Sequence, residues 1–299
     1  MPLPQFERFD IRSFDGTRLE VQTWGEGDLP IVIANGLGGT LLAWTPLLRA
    51  LGDRARFISW DYRGLYNSGT PAEPENLRVE HHVQDMMAVF DAVGVDRAVI
   101  AGWSMGVQVC VQAAADHARR VRGVILVNGT YGRIFETAFE NAISRHVLPR
   151  ANQVAIAIAP ALPPAVSWVT KQKWFLPAID KLGLVDERLD REVFLEIAKG
   201  FKDLDFVTYH QIMGYLNEHD GEPALSRILA PLLFVAGDKD RMTPASIKKV
   251  IAERVPRAEI FVVPGGTHYS LLEYPELVVA RVERFLDDHM GERVSPTSP

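Results

Sequence analysis

Apolar positions in the first half of the chain fall into short runs separated by segments of helical spacing. Glu7–Ser13 and Thr17–Trp24 flank Asp15-Gly16, a hairpin signal, and read as paired strands. Pro30–Ala34 is an apolar run that ends in a glycine-rich turn, and Leu41–Leu51 reads as a helix. Arg56–Trp60 and Ala98–Ala101 are further strands. Met105–Ala118 is a helix apolar nearly all round, through Val107, Val109, Cys110, Val111, Ala113 and Ala114, so it is packed on several sides. Gly123–Val127 is again continuously apolar. Runs apolar on both faces, with helices between them, predict a parallel sheet covered on both sides.

The rhythm changes near Thr130. As far as about Gly221 the patterns are helical and no convincing strand is found: Leu189, Val193, Ile197 and Phe201 recur every four residues, and Leu204, Val207, Ile212 and Tyr215 keep similar spacing. Strand and helix then alternate again, with Leu232–Ala236, a helix over Ala245–Val255, and Glu259–Val263. The last helix opens with Pro275 and buries Val278, Val282, Phe285 and Leu286. The layout is α/β: a core from residues 1–129 and 222–299, and a helical insertion over 130–221. The polar, proline-rich tail after Gly291 is expected to fray.

Composition narrows the function. A chain of 299 residues, 47% hydrophobic, can bury about three quarters of its unfolded surface. The net charge of −6 implies no basic face, so nucleic acid is not an expected partner. The single cysteine, Cys110, permits no internal disulfide and no thiolate zinc cluster, and reads as a small buried apolar residue. No basic segment followed by an apolar run opens the chain, so no secretory signal is read and a cytoplasmic location is expected. Ala151–Thr170 is uncharged and long enough to span a bilayer, but Pro160, Pro163 and Pro164 interrupt it. It reads as a buried or lid-like helix-turn segment, and as a candidate for peripheral contact with lipid.

The sharpest local feature is Gly102-Trp103-Ser104-Met105-Gly106, set between an apolar strand and the buried helix. A serine on a tight strand-to-helix turn is pushed out of the backbone, and the helix N-terminus aims free N–H groups at an anion formed beside it. A serine hydroxyl needs a base. Of eight histidines, His268 alone follows an apolar strand through a short flexible loop, Pro264-Gly265-Gly266-Thr267, at the sheet edge where active sites collect. The base needs a carboxylate, and Asp238 and Asp240 both follow the strand Leu232–Ala236; at the end of Gly123–Val127 the corresponding residue is the uncharged Asn128. Ala34-Asn35-Gly36-Leu37-Gly38-Gly39 can present backbone donors to an oxyanion. A phosphate-binding loop is not indicated, since neither Gly-x-Gly-x-x-Gly nor Gly-Lys-Ser/Thr occurs there.

Together these residues resemble the α/β-hydrolase superfamily, in the branch with a helical cap after the sixth strand, over about residues 6–289. The resemblance implies a mostly parallel eight-stranded sheet flanked by helices, with an all-helical cap. It makes Ser104 the nucleophile, His268 the base and Asp240 the acid, the last because the family's Gly-x-x-Asp-x-x-x-Pro matches Gly237, Asp240 and Pro244. It places the oxyanion hole at the backbone N–H groups of Leu37 and Met105, and makes Trp103, Tyr269 and Asn35 candidates for contact with substrate. The run Asp61–Ser68 resembles the family's structural Asp-x-Arg-Gly-x-Gly-x-Ser segment. Two departures stand out: Asn35-Gly36 where His-Gly is common, and Tyr66 where that segment carries glycine.

The implied reaction is acyl transfer to water through an acyl-enzyme, with no metal or organic cofactor required. Acidification is expected to stop it, because a protonated imidazole cannot accept the serine proton. The expected substrate is a small molecule, a carboxylic ester with an apolar acyl or alcohol part. The insertion is expected to bind it through some of Phe135, Phe139, Ile156, Ile158, Leu162, Trp168, Trp174, Phe175 and Phe206. Thioesterase, lactonase, carbon–carbon bond hydrolase and cofactor-free haloperoxidase or perhydrolase activities share the triad, and a receptor-like binding relative is the non-enzymatic alternative. Haloalkane dehalogenases and epoxide hydrolases of this fold need an aspartate nucleophile and are disfavoured.

Overall fold

Short apolar runs become eight strands: β1 (Glu7–Arg12), β2 (Arg18–Trp24), β3 (Leu29–Ala34), β4 (Ala55–Trp60), β5 (Ala98–Trp103), β6 (Val121–Val127), β7 (Leu232–Gly237) and β8 (Ala258–Val263). The computed structural model describes residues 3–137, 144–242 and 244–291. Phe139, Thr243 and the tail beyond Gly291 lie outside the described residues. The strands form one sheet in the order β1-β2-β4-β3-β5-β6-β7-β8. β2 pairs antiparallel with β1 and β4, and the pairings from β4 through β3, β5, β6 and β7 to β8 are parallel. The Asp15-Gly16 turn closes the β1–β2 hairpin, with Gly16 at φ +82°.

Strand alternation divides the core between two layers. Val32, Ile100, Val124, Leu126 and Phe234 point to one face, against Met86 and Phe90 of α2 (Val79–Ala92), Val107 and Val111 of α3 (Met105–Asp116) and Ile247 and Ile251 of α11 (Ala245–Arg254). Ile31, Ile33, Val99, Ile125, Leu233 and Val235 point to the other. There they meet Leu47 and Leu48 of α1 (Thr45–Leu51) and Val278, Val282, Phe285 and Leu286 of α13 (Pro275–Met290). Cys110 is buried in α3.

Between β6 and β7 the described residues are helical. They form α4 (Ile134–Thr137), α5 (Ser144–Ile158), α6 (Leu162–Val169), α7 (Phe175–Lys181), α8 (Arg191–Gly200), α9 (Phe206–Glu218) and α10 (Glu222–Leu225). One antiparallel bridge, Gly132 to Asp220, ties the two ends of the segment together. Pro160 sits in a 3₁₀ turn, Ala159–Ala161, that separates α5 from α6. No helix among the described residues is long and apolar enough to cross a membrane.

The Asp61–Ser68 run locks the near edge of the sheet. Arg63 is fully buried and donates to both oxygens of Asp85 on α2, to Asp15 of the hairpin turn and to the Asn76 carbonyl. Removing one partner of such a pair strands a buried charge, at a cost of about 3–5 kcal/mol.

Candidate active site

Four strand ends converge on one point at the carboxyl edge of the sheet. Ser104 stands between β5 and α3 with φ +55° and ψ −114°, a conformation that costs a non-glycine residue about 1–3 kcal/mol. Its neighbours make that turn possible. A Cβ on Gly102 would lie 2.3 Å from the Gly106 carbonyl oxygen, and one on Gly106 would lie 1.9 Å from that of Ala34. The Ser104 amide donates to Val127 O at 3.1 Å, tying the turn to β6. Met105 opens α3, where helix geometry supplies no acceptor for its N–H.

The loop after β3 passes in front of this turn. Gly36 packs against the Trp103 ring and Ser104 Cβ, a position that any side chain would fill. Leu37 follows it, and its amide donates to no backbone carbonyl among the described residues. Asn35, expected beside the substrate, turns the other way. Its Nδ2 donates to Ser59 Oγ at 2.9 Å, its Oδ1 accepts from Trp44 Nε1 at 3.0 Å, and it does not line the cavity. Both ends of the amide are consumed beneath the loop, so Asn35 is a support of the loop.

Asp240 and His268 come from the loops after β7 and β8. His268 Nδ1 lies 2.9 Å from Asp240 Oδ2. A proton on Nδ1 is then donated to the carboxylate, leaving Nε2 as the basic nitrogen. The other Asp240 oxygen accepts from the Met242 amide at 2.8 Å, and the side chain is fully buried. Asp238 instead accepts from the Gly265 amide at 2.6 Å and shapes the turn before the histidine. Ser104 and His268 line the same cavity, with no hydrogen bond formed between their side chains; such contacts often tighten only around bound substrate. Trp103 donates from Nε1 to the His268 carbonyl at 3.0 Å, and its ring packs on those of His268 and Tyr269.

Two buried residues that the sequence reading left without a role hold these loops. Asn128, at φ +43° after β6, accepts from the Gly237 amide at 2.8 Å. Its Nδ2 faces Thr267 O and His268 O, each at 3.0 Å, and Ser270 Oγ at 2.7 Å. Glu273, on α12 (Ser270–Glu273), accepts from the Thr267 amide and hydroxyl at 2.7 and 2.5 Å and from the Asp186 amide at 2.9 Å. Burial raises its pKa above the usual carboxylate range. A polar residue directly after an apolar strand at this edge was the available signal for Asn128; nothing local marks Glu273.

A cavity of about 540 Å³ opens above Ser104. Leu37, Trp103, Met105, His268 and Tyr269 form its base, and Val166, Val169, Phe175, Ile179, Phe194, Ile197, Phe201, Tyr209, Met213 and Leu216 form its roof and walls. No Asp, Glu, Lys or Arg is among its described lining residues. Of the apolar residues expected to line it, Phe175 does. Trp168 and Trp174 are 60% and 50% exposed and Ile158 is 53% exposed, whereas Phe135 and Phe206 are buried outside the cavity wall. Ile156 lies in a separate cleft, and Leu162 packs at the core's margin. Helix phase is the reason: on α6 the face carrying Val166 and Val169 turns inward, and Trp168 falls on the opposite side.

The pattern of the alpha/beta hydrolase fold matches residues 30–275. "Putative carbamate hydrolase RutD" of Caulobacter sp. (strain K31) is 29% identical over 263 residues, covering 86% of this chain and 90% of that protein. "3-oxoadipate enol-lactonase 2" of Acinetobacter baylyi is 26% identical over 283 residues, covering 94% and 97%. The crystal structure of the enol-lactonase from Burkholderia xenovorans LB400 superposes with a TM-score of 0.74 at 25% identity, over 93% of this chain and 99% of that one.

Proposed function

The chain belongs to the alpha/beta hydrolase fold family, and from that premise we propose that it is a serine hydrolase of neutral carboxylic esters with an apolar acyl or alcohol part. Ser104 attacks the carbonyl carbon while His268 Nε2 takes its proton, and Asp240 holds the imidazole and stabilises the imidazolium. The Leu37 and Met105 amides stabilise the oxyanion, each worth roughly 10²–10³ in rate. His268 then protonates the leaving alkoxide, and water repeats the sequence on the acyl-enzyme. Every group this chemistry uses is a side chain or amide of the chain itself. The helical segment between β6 and β7 acts as the cap that encloses the substrate.

The observation that carries the substrate class is the uncharged lining around Ser104. A carboxylate-bearing substrate, such as the oxoadipate lactone in one relative's name, would lose water there and gain no cation. A neutral lactone is an internal ester and suits the same site; the enol-lactonase relatives favour that form of the reading.

The test is a p-nitrophenyl ester series from acetate to hexanoate, with fluorophosphonate labelling. Each added methylene should raise kcat/KM by up to about fourfold until the cavity is full. An ester of the same length ending in a carboxylate should be much poorer. Ser104→Ala should abolish labelling and nearly all turnover while the protein stays folded. A monotonic fall from acetate to hexanoate would overturn the apolar substrate; turnover persisting in a clean Ser104→Ala preparation would overturn the mechanism.

A further inference from the structure

We infer that the outer face of the α6–α7 stretch docks on an anionic lipid surface, bringing the cavity's wall against the membrane. The first ground is charge. The chain is net −6, yet residues 141–181 contain Arg145, Arg150, Lys171, Lys173 and Lys181 against a single acidic residue, Asp180. Lys171 and Lys173 are exposed, as is Lys181 at the end of α7, and none of the three makes an ion pair with a described residue.

The second ground is what accompanies those lysines. Trp168 and Trp174 stand in edge contact, ring centroids 6.3 Å apart, and expose half or more of their surface on either side of Lys171 and Lys173. Leu182, next to Lys181, is 60% exposed. Exposed tryptophan interleaved with unpaired lysine suits a bilayer interface, where the indole sits at headgroup level and the ammonium meets lipid phosphate. A second copy of the chain fits poorly: a two-fold contact through this face would set its lysines against each other.

The third ground is the inner side of the same stretch. Val166, Val169 and Phe175 line the cavity. Arg241 donates to the Leu182 carbonyl at 3.5 Å, and its neighbour Met242 is both part-exposed and part of the cavity lining. The face that meets lipid is therefore the outside of the wall that meets the cavity's contents.

The binding claim stands apart from any chemistry at Ser104. Sedimentation of the intact chain with vesicles of phosphatidylcholine alone, or mixed equally with phosphatidylglycerol, tests it. The mixed vesicles should bind the protein at about 50 mM salt and release it at about 500 mM. Each cation removed should weaken partitioning about fivefold, so Lys171→Glu/Lys173→Glu should lower it by about 25-fold or more. Trp168→Ser/Trp174→Ser should also weaken it. Both variants should keep the parental thermal midpoint, which shows that they fold. Equal binding to the neutral vesicles, or unchanged partitioning of both double variants, would overturn the proposal. So would a dimer in light scattering that the tryptophan variant dissolves, which would assign the face to self-association.

Discussion

Asn128 joins the loop that carries Asp240 to the loop that carries His268, and removing its side chain tests whether that clamp sets the proposed active site. In Asn128→Ala the Gly237 amide loses its buried acceptor, and the Thr267 carbonyl and Ser270 hydroxyl lose a donor. A buried donor left unpaired costs about 1–3 kcal/mol. The backbone at φ +43° adds about 1–2 kcal/mol, because asparagine tolerates the left-handed region and alanine does not. The sum is about 2–5 kcal/mol, and at about 2–4 °C per kcal/mol the midpoint should fall by roughly 4–20 °C. Turnover should fall by about 10² or more, the usual consequence of a 1 Å misplacement of a reacting group. Asn128→Gly separates the two costs: it restores the backbone but not the hydrogen bonds, and should be more stable than the alanine variant while just as inactive. Asn128→Asp keeps the shape but sets a carboxylate against two carbonyls. It loses the donor to Thr267 and Ser270 and should be less stable than the parent. Calorimetry and ester kinetics on the three variants decide the matter. Wild-type midpoint and kcat in Asn128→Ala would refute the clamp.

Asp240→Asn should cost several orders of magnitude in turnover, whereas Asp238→Asn, which keeps an oxygen for the Gly265 amide, should be mild; the reverse ranking in the same ester assay would show the wrong carboxylate was chosen. His82 is fully buried, and burial holds its pKa down at about 3. A depressed folded value gives stability that is present above the unfolded pKa and lost as pH falls, here about 2 kcal/mol between pH 7.5 and pH 5. His82→Gln should therefore show a smaller drop in midpoint over that interval than the parent, and an equal drop would mean that the histidine protonates in the fold.

How far the site could be read in advance depended on how local each signal was. The runs Val99–Ala101, Val124–Val127 and Leu232–Ala236 are nearly inaccessible in the sheet, as unbroken apolar strands flanked by helices require. The Ser104 turn was legible for the same reason: its glycines answer to contacts within the turn and with the adjoining strand. The separation of Asp240 from Asp238 needed the family pattern, since both follow the same strand. Asn128 escaped because its partners lie about 110 and 140 positions away, and its value lies in donors and acceptors that carry no charge. The cavity lining escaped for a different reason. Periodicity marks α6 as apolar, but Val166 faces inward and Trp168 outward only because of how the helix settles on its neighbours.

The two departures from the family pattern sit on either side of one loop. Asn35 ties it down to Ser59 and Trp44, and its carbonyl accepts from the Tyr62 hydroxyl at 2.8 Å. Tyr66 adopts φ +49°, the left-handed conformation that explains glycine at this place in the pattern. A tyrosine held there bears a backbone cost that something must offset. Its hydroxyl donates to the Gly38 carbonyl at 2.5 Å, one residue beyond Leu37, and its ring reaches Gly200 at the end of α8. The loop carrying the proposed oxyanion donor is thus held from beneath by Asn35 and from the side by Tyr66, with no imidazole involved. The two residues act on the same backbone, so restoring histidine at position 35 alone would leave Ser59 and Trp44 without their carboxamide partner and the Tyr66 contact unchanged. The two departures brace the backbone on either side of Leu37 through separate partners, Asn35 through Ser59 and Trp44 and Tyr66 through the Gly38 carbonyl.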